Sequence, residues 1–281
     1  DKDKKILFAS IQTIGKQKHL ESFPVDYFDY IIIDETHHTA APTYTKIFNH
    51  FRPKFFLGLT ATPDRMDRKD ILGFYENNVV FEMNQEQAIE QGYLAPFQYL
   101  GFKDNIDYSN IYFNGFKYDT KDLNKHLLID ARDQEIINKF KEFAGERKTI
   151  GFCASIEHAE RCAQKFNEAG INSIAVHSHS EGLDEYEDKS KEMLIKHFRQ
   201  NKCQVAFVVD MFNEGVDIPD VSCLLFLRPT ESKTIFIQHM GRGLRIAPKK
   251  ENVLILDFIG NYRTANLILD GLNIKGGIRG L

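Results

Sequence analysis

Asp34 and Glu35 stand side by side at the end of an apolar run, Tyr30-Ile31-Ile32-Ile33, and are followed by Thr36, His37 and His38. A buried strand that ends in two carboxylates presents them where ligands meet the carboxyl ends of parallel strands. One carboxylate can hold Mg²⁺ through water, because that ion keeps several waters and bridges phosphates. The next can orient a water for attack on a phosphoryl group. The same letters also describe a strand that runs into a solvated acidic loop. A metal-dependent nuclease built on Asp34, Glu35, His37 and His38 is the weaker reading, because neighbours on a strand point to opposite faces.

Three further stretches carry groups suited to phosphate. Gly58-Leu59-Thr60-Ala61-Thr62-Pro63 ends a second apolar run with the hydroxyls of Thr60 and Thr62 at i and i+2. These can relay hydrogen bonds from a phosphate site, or simply form a turn before proline. In Gln238-His239-Met240-Gly241-Arg242-Gly243-Leu244-Arg245, two arginines lie three apart at a helix end that the glycines are expected to break. Guanidinium forks suit bidentate phosphate contacts and stabilise γ-phosphate charge as arginine fingers; surface arginines at a helix end are the plainer alternative. Asp210-Met211-Phe212-Asn213-Glu214-Gly215-Val216-Asp217-Ile218-Pro219 is a strand end meeting a glycine loop. Its backbone amides can contact phosphates, and Gly215 permits close approach.

The elements that must hold these groups follow from periodicity. Short apolar runs alternate with amphipathic stretches, the pattern of parallel strands and crossover helices. Strands are expected at 6–12, 30–33, 55–60, 149–154, 173–177, 204–209, 223–227 and 253–258. Helices are expected at 64–75, 132–144, 157–169, 190–199 and 233–241, with Gly170 as a C-cap. The stretch 103–128 is polar and aromatic and reads as an irregular insertion, and 178–190 as an acidic loop. The fold class is α/β, two doubly wound parallel sheets. The first domain is expected over 1–92 and the second over 93–265, with Pro96 marking the connection and 266–281 starting a C-terminal extension.

Composition bounds the partners. The 281 residues are 42% hydrophobic and 27% charged, ordinary for a globular chain of about two domains. No apolar run reaches the roughly 18–20 residues that span a bilayer. The net charge of −4 argues against wholesale electrostatic binding of nucleic acid, though a local basic track is compatible with it. Cys153, Cys162, Cys203 and Cys223 form no CxxC pair and are expected to be buried thiols of a cytoplasmic protein.

Taken together, DETH, LTATP, DMFNEGVDIP and QHMGRGLR stand in the order and spacing of the superfamily 2 helicases. Asp34–His37 resembles motif II, Leu59–Pro63 motif III, 149–154 motif IV, 209–219 motif V and Gln238–Arg245 motif VI. Ala9-Ser10-Ile11-Gln12-Thr13 is similar to a first-domain motif that touches the nucleic-acid backbone. GLTATPDRMD, LLFLRPTES and LILDFIGN look like the bacterial type III restriction-subunit-like branch. That resemblance implies two RecA-like domains with Mg²⁺-ATP hydrolysed in the cleft between them. It implies movement on DNA, with RNA left open, in a restriction, defence or repair protein that can carry fused nuclease or targeting domains.

Residue by residue, the resemblance implies that Asp34 holds Mg²⁺ through water and Glu35 orients the hydrolytic water. His37 couples nucleotide state to the domains, supported by Thr60 and Thr62. Gln238 contacts the nucleotide, Arg242 and Arg245 reach the γ-phosphate, and Gly215 and Asp217 serve nucleotide and nucleic acid. Ser10, Gln12, Thr13, Arg65 and Ser155 would line the nucleic-acid track. One part of the family pattern is missing from the sequence: no GxxxxGK[ST] occurs, and at Lys148-Thr149 the preceding glycine is replaced by Arg147. The family places that loop upstream of the residues seen here. The first domain is therefore expected to be truncated on its N-terminal side, and these residues alone to turn over ATP poorly. The rival function is a non-catalytic nucleic-acid-binding module with a silent ATPase.

Overall fold

The computed structural model describes residues 4–36, 42–60, 72–102, 106, 111–112, 118–177, 191–209, 218–229, 233–259 and 279–280. They form two compact units, Asp1–Glu82 and Met83–Leu281.

In the first unit, β1 (Tyr30–Ile33) and β2 (Phe55–Gly58) pair in parallel, from Tyr30 opposite Phe55 to Ile33 opposite Gly58. Alternation sets the faces: Ile31 and Phe56 pack against buried Leu20, Ile47 and Phe51, while Tyr30 and Ile32 face outward. Three helices supply the other side of that core: α1 (Ile11–Ile14), α2 (Gln17–Leu20) and α3 (Pro42–His50). Proline suits the first position of α3, where its missing N–H has no intrahelical partner. A 3-10 turn, Leu72–Tyr75, brings Phe74 and Tyr75 against Phe48, with ring centroids 5.0 and 5.6 Å apart.

The strand expected at 6–12 does not form. Residues 6–8 are exposed coil, and Ser10 starts α1 instead, its hydroxyl accepting the N–H of Thr13 at 3.2 Å. A serine N-cap satisfies an otherwise orphaned helix donor, which outweighs the strand preference of the isoleucines.

The second unit is built on one parallel sheet. Its strands are β3 (Phe97–Gly101), β4 (Thr149–Phe152), β5 (Ser173–Val176), β6 (Val205–Val208), β7 (Cys223–Phe226), β8 (Val253–Asp257) and β9 (Arg279–Gly280). Their order is β5-β6-β4-β7-β8-β3-β9. Ile150, Phe152, Ala206, Val208, Leu224 and Phe226 line one face, under α8 (Lys191–Arg199) and α9 (Lys233–Gly243). Val205, Phe207, Cys223 and Leu225 line the other, under α6 (Asp130–Phe143) and α7 (Ile156–Glu168). Burial of both faces is why these strands read as continuous apolar runs.

Four elements of this unit, β3, β9 and two helices, go beyond those the periodicity predicts. β3 fills a place between β8 and β9, Phe97 opposite Val253 and Leu100 opposite Arg279. Within the stretch taken as irregular, α5 (Thr120–Leu127) forms behind the Asp119 cap and buries Leu123 and Leu127, which stand i and i+4. Ahead of β3, α4 (Gln85–Glu90) opens with a capping box of Asn84 and Gln87 and belongs to this unit, although its residues fall within the span 1–92 expected for the first domain.

Candidate active site

At the tip of the first unit, the backbone continues past both strands as a stitched turn. Leu59 N–H donates to Ile33 O and Thr36 N–H to Leu59 O, both at 2.9 Å. Asp34 and Glu35 therefore lie beyond β1 in a turn, not on the strand, so the opposite-face argument raised against their joint use does not apply here. Glu35 takes φ +50°, a left-handed conformation uncommon for a non-glycine residue. Asp34 is exposed, and its Oδ1 accepts the N–H of Glu35 at 2.9 Å. An exposed carboxylate at the carboxyl end of a parallel strand is a hard oxygen donor of the kind Mg²⁺ takes through water.

Thr36, 4% exposed, is held by a hydrogen bond shared between its hydroxyl and that of Tyr75. Burial pushes the Tyr75 phenol up from its ordinary range, so it stays a neutral partner. Gly58 sits under this pair: a Cβ there would meet the Tyr75 ring at 2.6 Å and the Thr36 methyl at 2.9 Å. Thr60 continues the same strand end and is partly exposed. His37, Thr62 and Arg65 lie outside the described residues. Ser10, Gln12 and Thr13 are brought together at the exposed start of α1, where the Ser10 hydroxyl also donates to Thr13 Oγ1 at 2.8 Å.

In the second unit, α9 carries Gln238 and Arg242 one turn apart, both partly exposed, and Arg245 just past its end. The glycines do not break this helix: it runs on through Gly243. Gly243 is required by packing, since a Cβ there would meet the Leu224 side chain on β7 at 2.7–3.0 Å, whereas Gly241 faces open space. His239, 3% exposed, stacks on Phe152 of β4 with centroids 4.0 Å apart. Burial holds its pKa down at about 3, and Arg228 and Arg242 act in the same direction. Ser155 caps α7: its hydroxyl accepts the N–H of His158 at 3.0 Å and donates to Asn124 Oδ1 at 2.9 Å. Gly215 and Asp217 lie outside the described residues.

All four cysteines carry buried free thiols. Cys153, Cys162 and His158 place their donor atoms within 4.8 Å of one another, a cluster the sequence did not suggest. It is poorly suited to a metal: His158 Nδ1 accepts the Ala154 N–H at 3.3 Å, so the neutral ring carries its proton on Nε2, the atom that would have to ligate. A hydrogen bond from Cys153, together with nearby His158, lowers the Cys162 pKa to about 6, and burial raises that of Cys153.

The type III restriction enzyme res-subunit family matches residues 1–65, and the helicase conserved C-terminal domain matches residues 128–247. Both matches support a superfamily 2 helicase of restriction-subunit type. The chain is 30% identical over 272 residues to a provisionally named mitochondrial ATP-dependent helicase of Schizosaccharomyces pombe, across 94% of the chain and 43% of that protein. It is 26% identical over 267 residues to a provisionally named ATP-dependent helicase of Saccharomyces cerevisiae, across 92% of the chain and 37% of that protein. It thus spans less than half the length of either relative. Its fold is that of a solved fragment of a provisionally assigned type I restriction HsdR subunit from Vibrio vulnificus YJ016, with TM-score 0.78 and 24% identity over 100% of this chain and 53% of that one. Among the described residues, no helix is long and apolar enough to cross a membrane.

Tyr75 is a residue that motif reading missed. It follows LTATP by a dozen residues and carries no motif letter; only its contact with Thr36, 39 positions away, reveals it.

Proposed function

We propose that the chain is the ATP-driven motor of a DNA translocase or helicase of the restriction, defence or repair type. The observation that carries this reading is the stitched tip beyond β1. It presents Asp34 to solvent and fixes Glu35 in a left-handed turn where the sheet ends. Asp34 would hold Mg²⁺ through water, which would neutralise charge on the phosphates. Glu35 orients the attacking water, and Thr36, Thr60 and Tyr75 keep the turn in register. His37 and Thr62 couple that turn to movement. Gln238 contacts the nucleotide; Arg242 and Arg245 stabilise charge on the γ-phosphate; Gly215 and Asp217 serve the phosphates and the nucleic-acid track.

The nucleic acid is held by its backbone, which gives affinity with little sequence choice. Ser10, Gln12, Thr13 and Arg65 contact phosphates. Ser155 contributes by capping the amino end of α7, since its own hydroxyl is engaged within the unit.

The test is ATP hydrolysis, with and without DNA or RNA, by the protein expressed from its complete gene, beside Glu35→Gln. Nucleic-acid-stimulated turnover is expected, and Glu35→Gln is expected to lower it by at least roughly 10²-fold, the loss of a group acting in the transition state. A wild-type protein that binds DNA but never hydrolyses ATP would replace the motor with a non-catalytic binding module.

A further inference from the structure

Lys250 follows α9 by seven residues and is absent from every helicase motif named above, yet it makes a dense set of contacts. Its ammonium donates to three backbone carbonyls: Gly243 O, Arg245 O at 2.8 Å and Pro219 O at 2.9 Å. Gly243 is the last residue of α9, so its carbonyl is one that a helix end leaves without an intrahelical donor, and Arg245 lies two residues beyond it. A cation there also meets the negative end of the helix dipole. The third carbonyl belongs to Pro219, on the segment that leads into β7. That segment is held also by Lys148, whose Nζ donates to Asp220 Oδ2 and to Asn201 Oδ1, both at 2.8 Å.

We propose that Lys250 is a positioning residue for the arginines: its ammonium ties the end of α9, and with it the backbone of Arg245, to the chain at Pro219. This rests on the function proposed above. Arg242 lies in the last turn of α9 and Arg245 two residues beyond Gly243, so both inherit their placement from this helix end. A single charge bonded to three carbonyls makes that end and the Pro219 segment one body. The exposed lysine beside it, Lys249, makes no such contact among the described residues.

Burial holds the Lys250 pKa down at about 8, with Asp220 acting in the opposite direction. The charged groups next to it in the fold and along the chain are Asp220, Lys148, Arg245, Lys249 and Glu251. A lysine titrating near 8 in the fold and near 10.5 in the unfolded chain makes folding no weaker between those values, because the unfolded chain binds the extra proton there. Hydrolysis that needs the ammonium falls over the same interval. Loss of activity without loss of stability on the alkaline side separates positioning from a merely structural cap.

The experiment compares wild type, Lys250→Met, Lys250→Arg and Lys249→Met, each expressed from the complete gene, in nucleic-acid-stimulated ATP hydrolysis and thermal unfolding. Lys250→Met is expected to lower kcat roughly 10–100-fold, as misplacement of a group acting in the transition state does, with KM for ATP within about twofold. It should also lack the alkaline limb expected near pH 8 in wild type. Lys250→Arg, which keeps the charge, should recover part of kcat, and Lys249→Met should match wild type. A folded Lys250→Met with unchanged kcat, or one that loses thermal stability alone, overturns the proposal and leaves the motor reading standing. Wild type that hydrolyses no ATP with DNA or RNA defeats the motor reading itself, and with it any catalytic role for Lys250. If Lys250→Met does not fold, Lys250→Arg decides: an alkaline limb displaced from pH 8 supports positioning, and an unmoved limb overturns it.

Discussion

His239 is buried within the electrostatic reach of Arg228 and Arg242, and burial above all keeps it neutral. Its ring is stacked on Phe152 and almost sealed from water, so adding a proton would put a bare cation beside Arg228 and Arg242. The unfolded chain takes that proton near pH 6.5, the fold only at about 3. Between those values the unfolded state binds more protons, so stability present above pH 6.5 is lost as pH falls through the window. From pH 7.5 to 5.5 this residue alone should remove about 1 kcal/mol from the second unit. His239→Phe keeps the stack and cannot titrate, so its urea midpoint should fall less over that step. An equal fall in both proteins would show that the ring titrates normally. Glu35 carries a different burden, a left-handed backbone at a site where glycine would be the relaxed choice. Strain of this kind persists where the surrounding bonds over-determine it, and the two hydrogen bonds through Leu59 do so here.

At the scale of elements, the strand ends are locked by contacts that substitutions can address separately. Gly58→Ala would drive a methyl into the Tyr75 ring and the Thr36 methyl, so it should destabilise the first unit by about 1–3 kcal/mol, the usual cost of overpacking. In the second unit, the Tyr99 hydroxyl on β3 donates to Asp257 on β8, a carboxylate with no exposure, whose other oxygen accepts the Ile259 N–H at 3.0 Å. Tyr99→Phe withdraws that donor and should cost about 1–3 kcal/mol. Chemical denaturation of each variant checks both, and a change under about 0.5 kcal/mol, the usual range at inert surface sites, would reject the assigned contact.

The same elements show what could be read from the letters. β6, β7 and β8 are buried along their whole length, so their sequences are almost unbroken apolar runs. The helices between β4 and β8 alternate with a clear period. β3 hides because Phe97-Gln98-Tyr99-Leu100-Gly101 mixes polar and apolar residues and has its partner more than a hundred positions away. α5 hides because only Leu123 and Leu127 of its eight residues are buried. The carboxylates and arginines were legible as chemistry, since their types and spacing carry the signal. Tyr75 and Lys250 were not: one acts on a distant hydroxyl and the other on backbone carbonyls, and neither kind of partner leaves a trace in the sequence.

At the scale of the whole molecule, the two units have separate cores. Heating should therefore give two transitions, with Gly58→Ala moving one and Tyr99→Phe the other. Calorimetry reads this directly, and a single transition shifted by both substitutions would show that the units melt as one.

The seat of β3 between β8 and β9 also has a consequence for how the protein is born. β3 is made by residue 101, but its partner β8 is not complete until residue 257. At ribosomal speeds of about 5–20 residues per second, that is a wait of roughly 8–30 s. Throughout it, Leu100, buried in the finished sheet, has nowhere to go. A nascent chain stalled or released in that interval is expected to be a client of chaperones and an easy target for proteases, whatever the state of the first unit.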